Sequence, residues 1–520
     1  MTEGSLDFRD REGRLDRLDG AAFDVLIIGA GITGAGIARD AAMRGLTVCL
    51  VEARDIASGT SSRSSKMIHG GLRYMSQGDL GLVHEAATER KAVERIAPHL
   101  ARMTPFVIPA KNAAGIAKLR TGLWAFEKLG AVAKDRRHEV WSRHDLAAHE
   151  PALDTTETAG AVVYPEYLTN DSRLTLANVR AAAAHGAEVI TYAPVEALIL
   201  ENGKAAGAVI GDALSSAMNR ARIKARVVVN AAGPWVDAIR RLEDAGAPGR
   251  LQLTKGVHLV VKSGRLPVAR TIIMPAADRR SVFAVPGGEV TYLGTTDTFY
   301  PEADVWPGVT AADTDYLLDA ANRRFAVRPL SREDVIAVWS GVRPLVGEAG
   351  KSASEISRKD ETWVGTAGVL SIAGGKLTAY RMMAERIVDK IEESLGRKVT
   401  ASRTADTPLP GGDINFAAAT AEFGTRRAGL YGAEAAAAGE DAASEAAFAV
   451  SHEGALKLDD YWVRRGARAW FDPDGGAEAL APAAASMAGM LGWSPQRTAD
   501  EIAACQALAK SSLAGMEISA

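Results

Sequence analysis

Three glycines and one glutamate near the start of the chain have the types and spacing to hold a nucleotide. In GAGITG, Gly29, Gly31 and Gly34 keep the G-x-G-x-x-G interval. The first permits a tight turn, the second lets backbone N–H groups approach a pyrophosphate, and the third lets a helix pack closely on a strand. Glu52 stands where an acidic side chain accepts the hydroxyl pair of a ribose. The elements that must position these residues are legible on either side. Val25 to Ile28 is a short apolar run, as in a parallel strand buried on both faces. A helix is expected from Thr33 to about Arg44, with its positive N-terminal end toward the phosphates and Gly45 as its stop. Thr47 to Val51 supplies the second strand. The unit predicts a dinucleotide site. The fingerprint alone does not choose between a nicotinamide coenzyme that leaves and a flavin that stays.

The chain has 520 residues, enough for two or three domains. Its composition, 47% hydrophobic and 24% charged, is that of an ordinary soluble protein, and a net charge of −3 gives no general attraction for nucleic acid. Two cysteines, Cys49 and Cys505, suggest neither a disulfide framework nor a metal cluster. The first twenty residues are charged throughout and do not form a secretory signal. No stretch approaches the roughly 20 apolar residues that span a bilayer. The expectation is a cytoplasmic protein that touches a membrane at its surface at most.

Downstream, Leu82 to Ala97 has the period of an amphipathic helix. Lys111 to Arg137 carries seven Lys or Arg against two acids, interleaved with Leu119, Leu123, Trp124, Phe126 and Leu129. Such a segment suits an anionic membrane interface, and equally a surface helix packed on its own domain. A helix from Ser172 to Ala184 and strands at Glu188 to Tyr192, Ala225 to Asn230, Val335 to Trp339 and Val369 to Ala373 continue an α/β pattern. Between them, Val257 to Val261, Ser281 to Pro286 and Glu289 to Gly294 read as antiparallel strands, the last two joined at Gly287-Gly288. After GGK, Tyr380, Met383, Ile387 and Ile391 share one helix face. The expected division is an N-terminal tail at 1–22, an oxidoreductase region at 23–400, a linker at 401–412 and a separate helical domain at 413–520. Within 23–400, segments near 23–110, 170–250 and 335–400 would bind the nucleotide, and 111–169 and 251–334 would bind substrate.

The motifs choose the cofactor. GAGITGAGIARDAAMRGLTVCLVE and GTSSRSSKMIHGGLRYM, followed by VVVNAAGPWVD, LTKGVHLVV, LGTTDT, WSGVRPL, SEISRKDETW and SIAGGKLTAYRMMAE, resemble the FAD-dependent glycerol-3-phosphate dehydrogenase family. The likeness is dense from Phe23 to Tyr380 and thinner in the C-terminal part, where DYWVRRGARAWFD is the last match. It implies a Rossmann-like FAD-binding domain with an inserted, D-amino-acid-oxidase-like antiparallel substrate domain and a C-terminal helical domain. It also implies oxidation of sn-glycerol 3-phosphate to dihydroxyacetone phosphate, with hydride passing from C2 to flavin N5 and electrons to membrane quinone. Peripheral contact with the inner face of the cell membrane and a homodimer are part of the same expectation. An oxidase that releases hydrogen peroxide is the alternative within the fold; a flavin-binding scaffold without turnover is a distant one.

Roles follow from the matched positions. Glu52 and the three glycines would hold the ADP half of FAD. Ser61, Ser62, Ser65, Lys66, Ala232, Gly233, Gly374 and Gly375 would surround the flavin. Arg73, Arg343 and Lys376 would bind the dianionic phosphate, since guanidinium and ammonium groups match it, with Tyr74 beside them. His258 is the candidate base for the C2 hydroxyl, with His69 beside the isoalloxazine as the other catalytic candidate. Thr296 and Asp297 would orient substrate or histidine. Two departures stand out: NDSRL replaces the family's usual DDARL at Asn170 to Leu174, and the C-terminal region looks shorter than in many relatives.

Overall fold

Apolar parallel strands build the first of two sheets. Ala22–Ile28 lies between Arg220–Asn230 and Val48–Val51, both parallel to it. Glu188–Ile190 extends one side, Leu370–Gly374 and the antiparallel edge Asp360–Val364 the other. Helices Ile32–Met43, Asp171–Ala184 and Tyr380–Ser394 cover this sheet, and their buried residues join Val25, Ile27, Val48 and Leu50 in one core. The structure, a computed structural model, describes residues 4–69, 80–130, 132–215, 219–347 and 359–517.

Among the described residues the second sheet has ten strands. Leu251–Lys262 pairs on one side with Val335–Val346 and on the other with Val290–Gly294. Ser281–Pro286 and Val290–Gly294 form the expected hairpin, where Gly288 takes φ +84°, a conformation that favours glycine. Thr271–Pro275, Arg102–Ala110 and Gly160–Leu168 continue the sheet.

Several boundaries move. Arg102–Ala110 and Val335–Val346 were expected in the nucleotide-binding layer and belong instead to the second sheet. An apolar run announces burial without saying which sheet supplies it. Of the expected tail, residues 4–22 are packed against the fold. Leu6 and Phe8 are buried, and the helix Arg11–Leu18, capped by Asp10, buries Leu15 and Leu18 while Arg11 donates to Thr191 O at 2.6 Å and Tyr192 O at 2.8 Å. Charges on the outer face of this segment mask its few apolar anchors. In 401–412, Leu409 is buried and its N–H donates to Ile96 O at 2.8 Å, so the expected linker is packed.

The C-terminal part is helical, as read, but not separate. Ala446, Trp462, Trp470 and Ala483 share one core with Val260, Tyr292 and Trp339 of the second sheet. The basic segment forms the helix Ala113–Leu129, packed on its own domain. Leu123 and Phe126 are buried, whereas Lys118, Arg120, Lys128 and Trp124 face outward, the tryptophan 58% exposed. Among the described residues no helix is long and apolar enough to cross a membrane.

Candidate flavin and substrate site

A cavity of about 1530 Å³ is lined by residues of both sheets. At one end the glycine fingerprint shapes its floor. Gly29 has φ +106°, and a Cβ there would stand 2.7 Å from Ala231 O. A Cβ on Gly34 would stand 1.9 Å from Gly29 O, so this glycine lets the helix sit on the strand and does not itself line the cavity. Ser61 receives the Ile32 N–H at 2.9 Å, at the start of the helix.

Glu52 marks the far end of the strand. Its carboxylate accepts from Ala30 N–H at 2.7 Å and Arg54 N–H at 2.9 Å. Burial raises its pKa above the ordinary value, against the pull of those two donors. Ala232, Gly233, Gly374 and Gly375 continue the wall, with φ of +55°, +78° and +80° at the three glycines. A glycine-walled trough closed by an anchored acid fits FAD: the glycines would admit its pyrophosphate and Glu52 would receive its ribose.

His258, Arg343, Asp297, Lys376 and His69 line the same cavity. His258 comes from Leu251–Lys262, and strand register places Trp339 opposite it. The two rings stack at 4.7 Å, and His258 Nε2 lies 2.9 Å from Ser65 Oγ. Burial, then the charges of Arg343 and Lys66, hold the imidazole pKa well below its ordinary value, so the ring is neutral and able to accept a proton. Its Nδ1 is buried with no hydrogen-bond partner among the described residues. Arg343 donates from Nη1 to Asp297 Oδ1 at 3.0 Å and from Nη2 to Thr295 Oγ1 at 3.2 Å. Acid and hydroxyl thus hold the fork in place.

Some expected residues do other work. The Thr296 side chain is buried outside the lining, its hydroxyl accepting from Val257 N–H at 3.1 Å while its carbonyl accepts from Arg343 Nη2 at 3.3 Å; Thr295, one residue earlier, lines the cavity and offers Oγ1 to the same nitrogen. Ser62 turns inward, donating to Gly59 O at 3.3 Å. Lys66 lies behind the wall, where Nζ donates to Asp171 Oδ1 at 2.7 Å and Ser62 O at 2.8 Å. Charge burial drives this pairing, because neither ion is stable there alone. Arg73 and Tyr74 fall outside the described residues.

The departure at NDSRL is resolved by the same contacts. Asn170 caps the helix Asp171–Ala184, accepting from Arg173 N–H at 3.2 Å, and Asn caps as well as Asp. The second acid, Asp171, is the one that matters here, since it also receives Ser64 N–H and Oγ–H at 2.9 and 2.7 Å. Sequence reasoning missed Thr295, Trp339 and Arg280. Arg280 lines the cavity and donates to Asp297 O at 2.9 Å. Thr295 and Trp339 stand inside matched motifs and were legible there; Arg280 had no such signal.

Known proteins agree with this architecture. Residues 24–381 match the family model described as FAD dependent oxidoreductase, and 425–498 match the C-terminal domain of alpha-glycerophosphate oxidase. An aerobic glycerol-3-phosphate dehydrogenase of Staphylococcus aureus is 42% identical over 400 residues, 75% of this chain and 72% of its own. The crystal structure of a glycerol-3-phosphate dehydrogenase from Bacillus halodurans complexed with FAD superposes with a TM-score of 0.81 at 31% identity, covering 99% of this chain and 100% of that one. L-alpha-glycerophosphate oxidase from Mycoplasma pneumoniae shares the fold, at 16% identity and a TM-score of 0.54 over 75% of this chain and 99% of that one. The chain belongs to the FAD-dependent oxidoreductase family, among the aerobic glycerol-3-phosphate dehydrogenases.

Proposed function

We propose that the protein oxidises sn-glycerol 3-phosphate to dihydroxyacetone phosphate and delivers the electrons to a membrane quinone. One observation carries the reading: a neutral, buried histidine and an oriented arginine share a single cavity with the nucleotide fingerprint. When bound, FAD supplies the hydride acceptor. Arg343, braced by Asp297 and Thr295, binds the substrate phosphate with Lys376. His258 takes the proton of the C2 hydroxyl, and Ser65 and Trp339 hold its ring in register.

The acceptor side rests on a second feature. One arm of the cavity is lined by Ile108, Leu119, Ile273 and Phe283, an apolar path suited to a quinone ring. Leu119 belongs to the helix Ala113–Leu129, whose outer face displays Lys118, Arg120, Trp124 and Lys128. Docked on an anionic membrane by that face, the helix brings the apolar arm to the lipid in which quinone dissolves.

The test is anaerobic addition of glycerol 3-phosphate to the flavin-loaded protein, followed by a quinone analogue or oxygen. Flavin bleaching and rapid reoxidation by quinone are expected. No bleaching would overturn the dehydrogenase reading; reoxidation by oxygen with stoichiometric peroxide would make the protein an oxidase.

A further inference from the structure

One wall of the cofactor cavity comes from neither sheet. Lys457, Asp459 and Arg464 of the C-terminal helical region line it beside Glu52, Arg54, Asp55 and Tyr192. The nucleotide end is therefore finished by residues more than four hundred positions from the glycine fingerprint.

Buried ions fasten this segment to the nucleotide-binding strand. Asp55, just beyond Glu52, receives Arg465 Nη2 on Oδ1 at 2.8 Å, while Arg464 Nε and Arg465 Nη1 close on Oδ2. Arg464 Nη2 also reaches Asp460 at 2.6 Å and Asp459 at 2.9 Å. The Tyr192 hydroxyl donates to Asp460 Oδ1 at 2.6 Å. Tyr192 N–H in turn donates to Arg54 O, and Ala193 N–H to Glu52 O, both at 2.8 Å. The two arginines stand in a π-helical turn, Asp460–Arg465, a rare geometry that recurs at functional sites. A chain of contacts thus runs from the C-terminal turn to the residue that anchors the ribose.

Two cations on this wall are placed to meet an anionic ligand. Asp55, Asp459 and Asp460 are consumed by Arg464 and Arg465. Lys457 is half-buried, with Nζ 5.0 Å from the Tyr192 ring centroid and no carboxylate within ion-pair distance among the described residues. Arg54 lies over the Trp235 ring at 5.5 Å and likewise has no acid partner among them. Lys457 and the exposed Arg54 thus face the cavity at its Glu52 end, Arg54 in the field of the Glu52 carboxylate and neither in a direct ion pair among the described residues.

We infer that the C-terminal segment 455–472 is a working part of the cofactor site: Lys457, with Arg54, receives the anionic ADP half of FAD, and docking of the segment is coupled to cofactor binding. The coupling is reciprocal, so FAD must tighten the segment by the factor by which the segment tightens FAD. Lys457 is a binding residue in this scheme; Arg464 and Arg465 are positioning residues that act through Asp55. The inference concerns FAD alone and survives or fails independently of glycerol 3-phosphate as substrate.

The experiment measures FAD and ADP binding to apoprotein by flavin-fluorescence quenching and calorimetry, together with amide hydrogen exchange over 455–472. Lys457→Gln should weaken both ligands about tenfold or more at low salt, the size of one charge-assisted contact, with the loss shrinking as salt rises. The apoprotein Tm should stay where it is, because Lys457 makes no internal ion pair. Exchange in 455–472 should slow when FAD is added to the unaltered protein. Asp55→Asn should weaken FAD further, and Asp55→Glu should recover part of that loss. Unchanged FAD and ADP affinity in Lys457→Gln would overturn the inference. So would a loss insensitive to salt and accompanied by a lowered apoprotein Tm, or exchange in 455–472 indifferent to FAD.

Discussion

His258 lies flat on Trp339, ring centroids 4.7 Å apart and planes 12° from parallel, because strand register sets the two residues directly opposite each other. The indole is itself fixed, donating from Nε1 to Ser64 O at 3.1 Å, one residue from the serine that meets His258 Nε2. One loop therefore anchors both members of the stack.

Replacing His258 with Gln is expected to lower kcat by about 10²- to 10⁴-fold, the usual worth of a general base, with FAD still bound. Burial and the nearby Arg343 and Lys66 charges depress the His258 pKa. The unaltered enzyme should then keep its kcat between pH 8 and 6, without the fall near 6.5 that an ordinary histidine base would show. Turnover profiles of both proteins against pH check this.

Arg343→Ala should raise the KM for glycerol 3-phosphate about ten- to a hundredfold, as expected on losing a charged hydrogen-bonding fork. Asp297→Asn should raise it less, because Thr295 still holds one arm of the guanidinium. Steady-state kinetics on the three proteins measure the difference.

Lys66→Met leaves the Asp171 carboxylate buried without its cation, at a cost of about 3–5 kcal/mol in denaturant unfolding. The double variant with Asp171→Asn should recover part of that loss.

The outward face of Ala113–Leu129 should govern membrane contact. Neutralising Lys118, Arg120 and Lys128 together, or changing Trp124 to Ala, should reduce co-sedimentation with anionic vesicles at low salt. Turnover with a soluble acceptor should stay unchanged, since none of the four lines the cavity.

His99 predicts a pH-dependent stability. Burial, followed by the charges of Arg173 and Arg102, pushes its pKa down to about 3. The unfolded chain takes up that proton near 6.5, so the contribution is complete above pH 6.5 and is lost as pH falls toward 3. The slope is up to about 1.4 kcal/mol per pH unit. Urea unfolding between pH 7 and 4 should be less pH-dependent in His99→Gln.

The amino-acid sequence alone determined those features whose physical cause lies within a few neighbouring residues. The turn at Gly29, the helix that Gly34 allows onto its strand and the hairpin at Gly287-Gly288 all follow from local backbone freedom and periodicity. Matched motifs also brought His258, Arg343, Asp297 and Lys376 into view as one set, and the cavity gathers them. Tertiary structure decided everything that depends on a distant partner. It moved Val335–Val346 into the second sheet, set the Thr295 hydroxyl and the Thr296 carbonyl beside Arg343, and buried Lys66 against Asp171. It also carried the turn at Asp460–Arg465 to the loop after Glu52, making a C-terminal element part of the nucleotide wall. An apolar run or a lone charge records that burial or pairing must occur; only the folded chain supplies the partner that satisfies it.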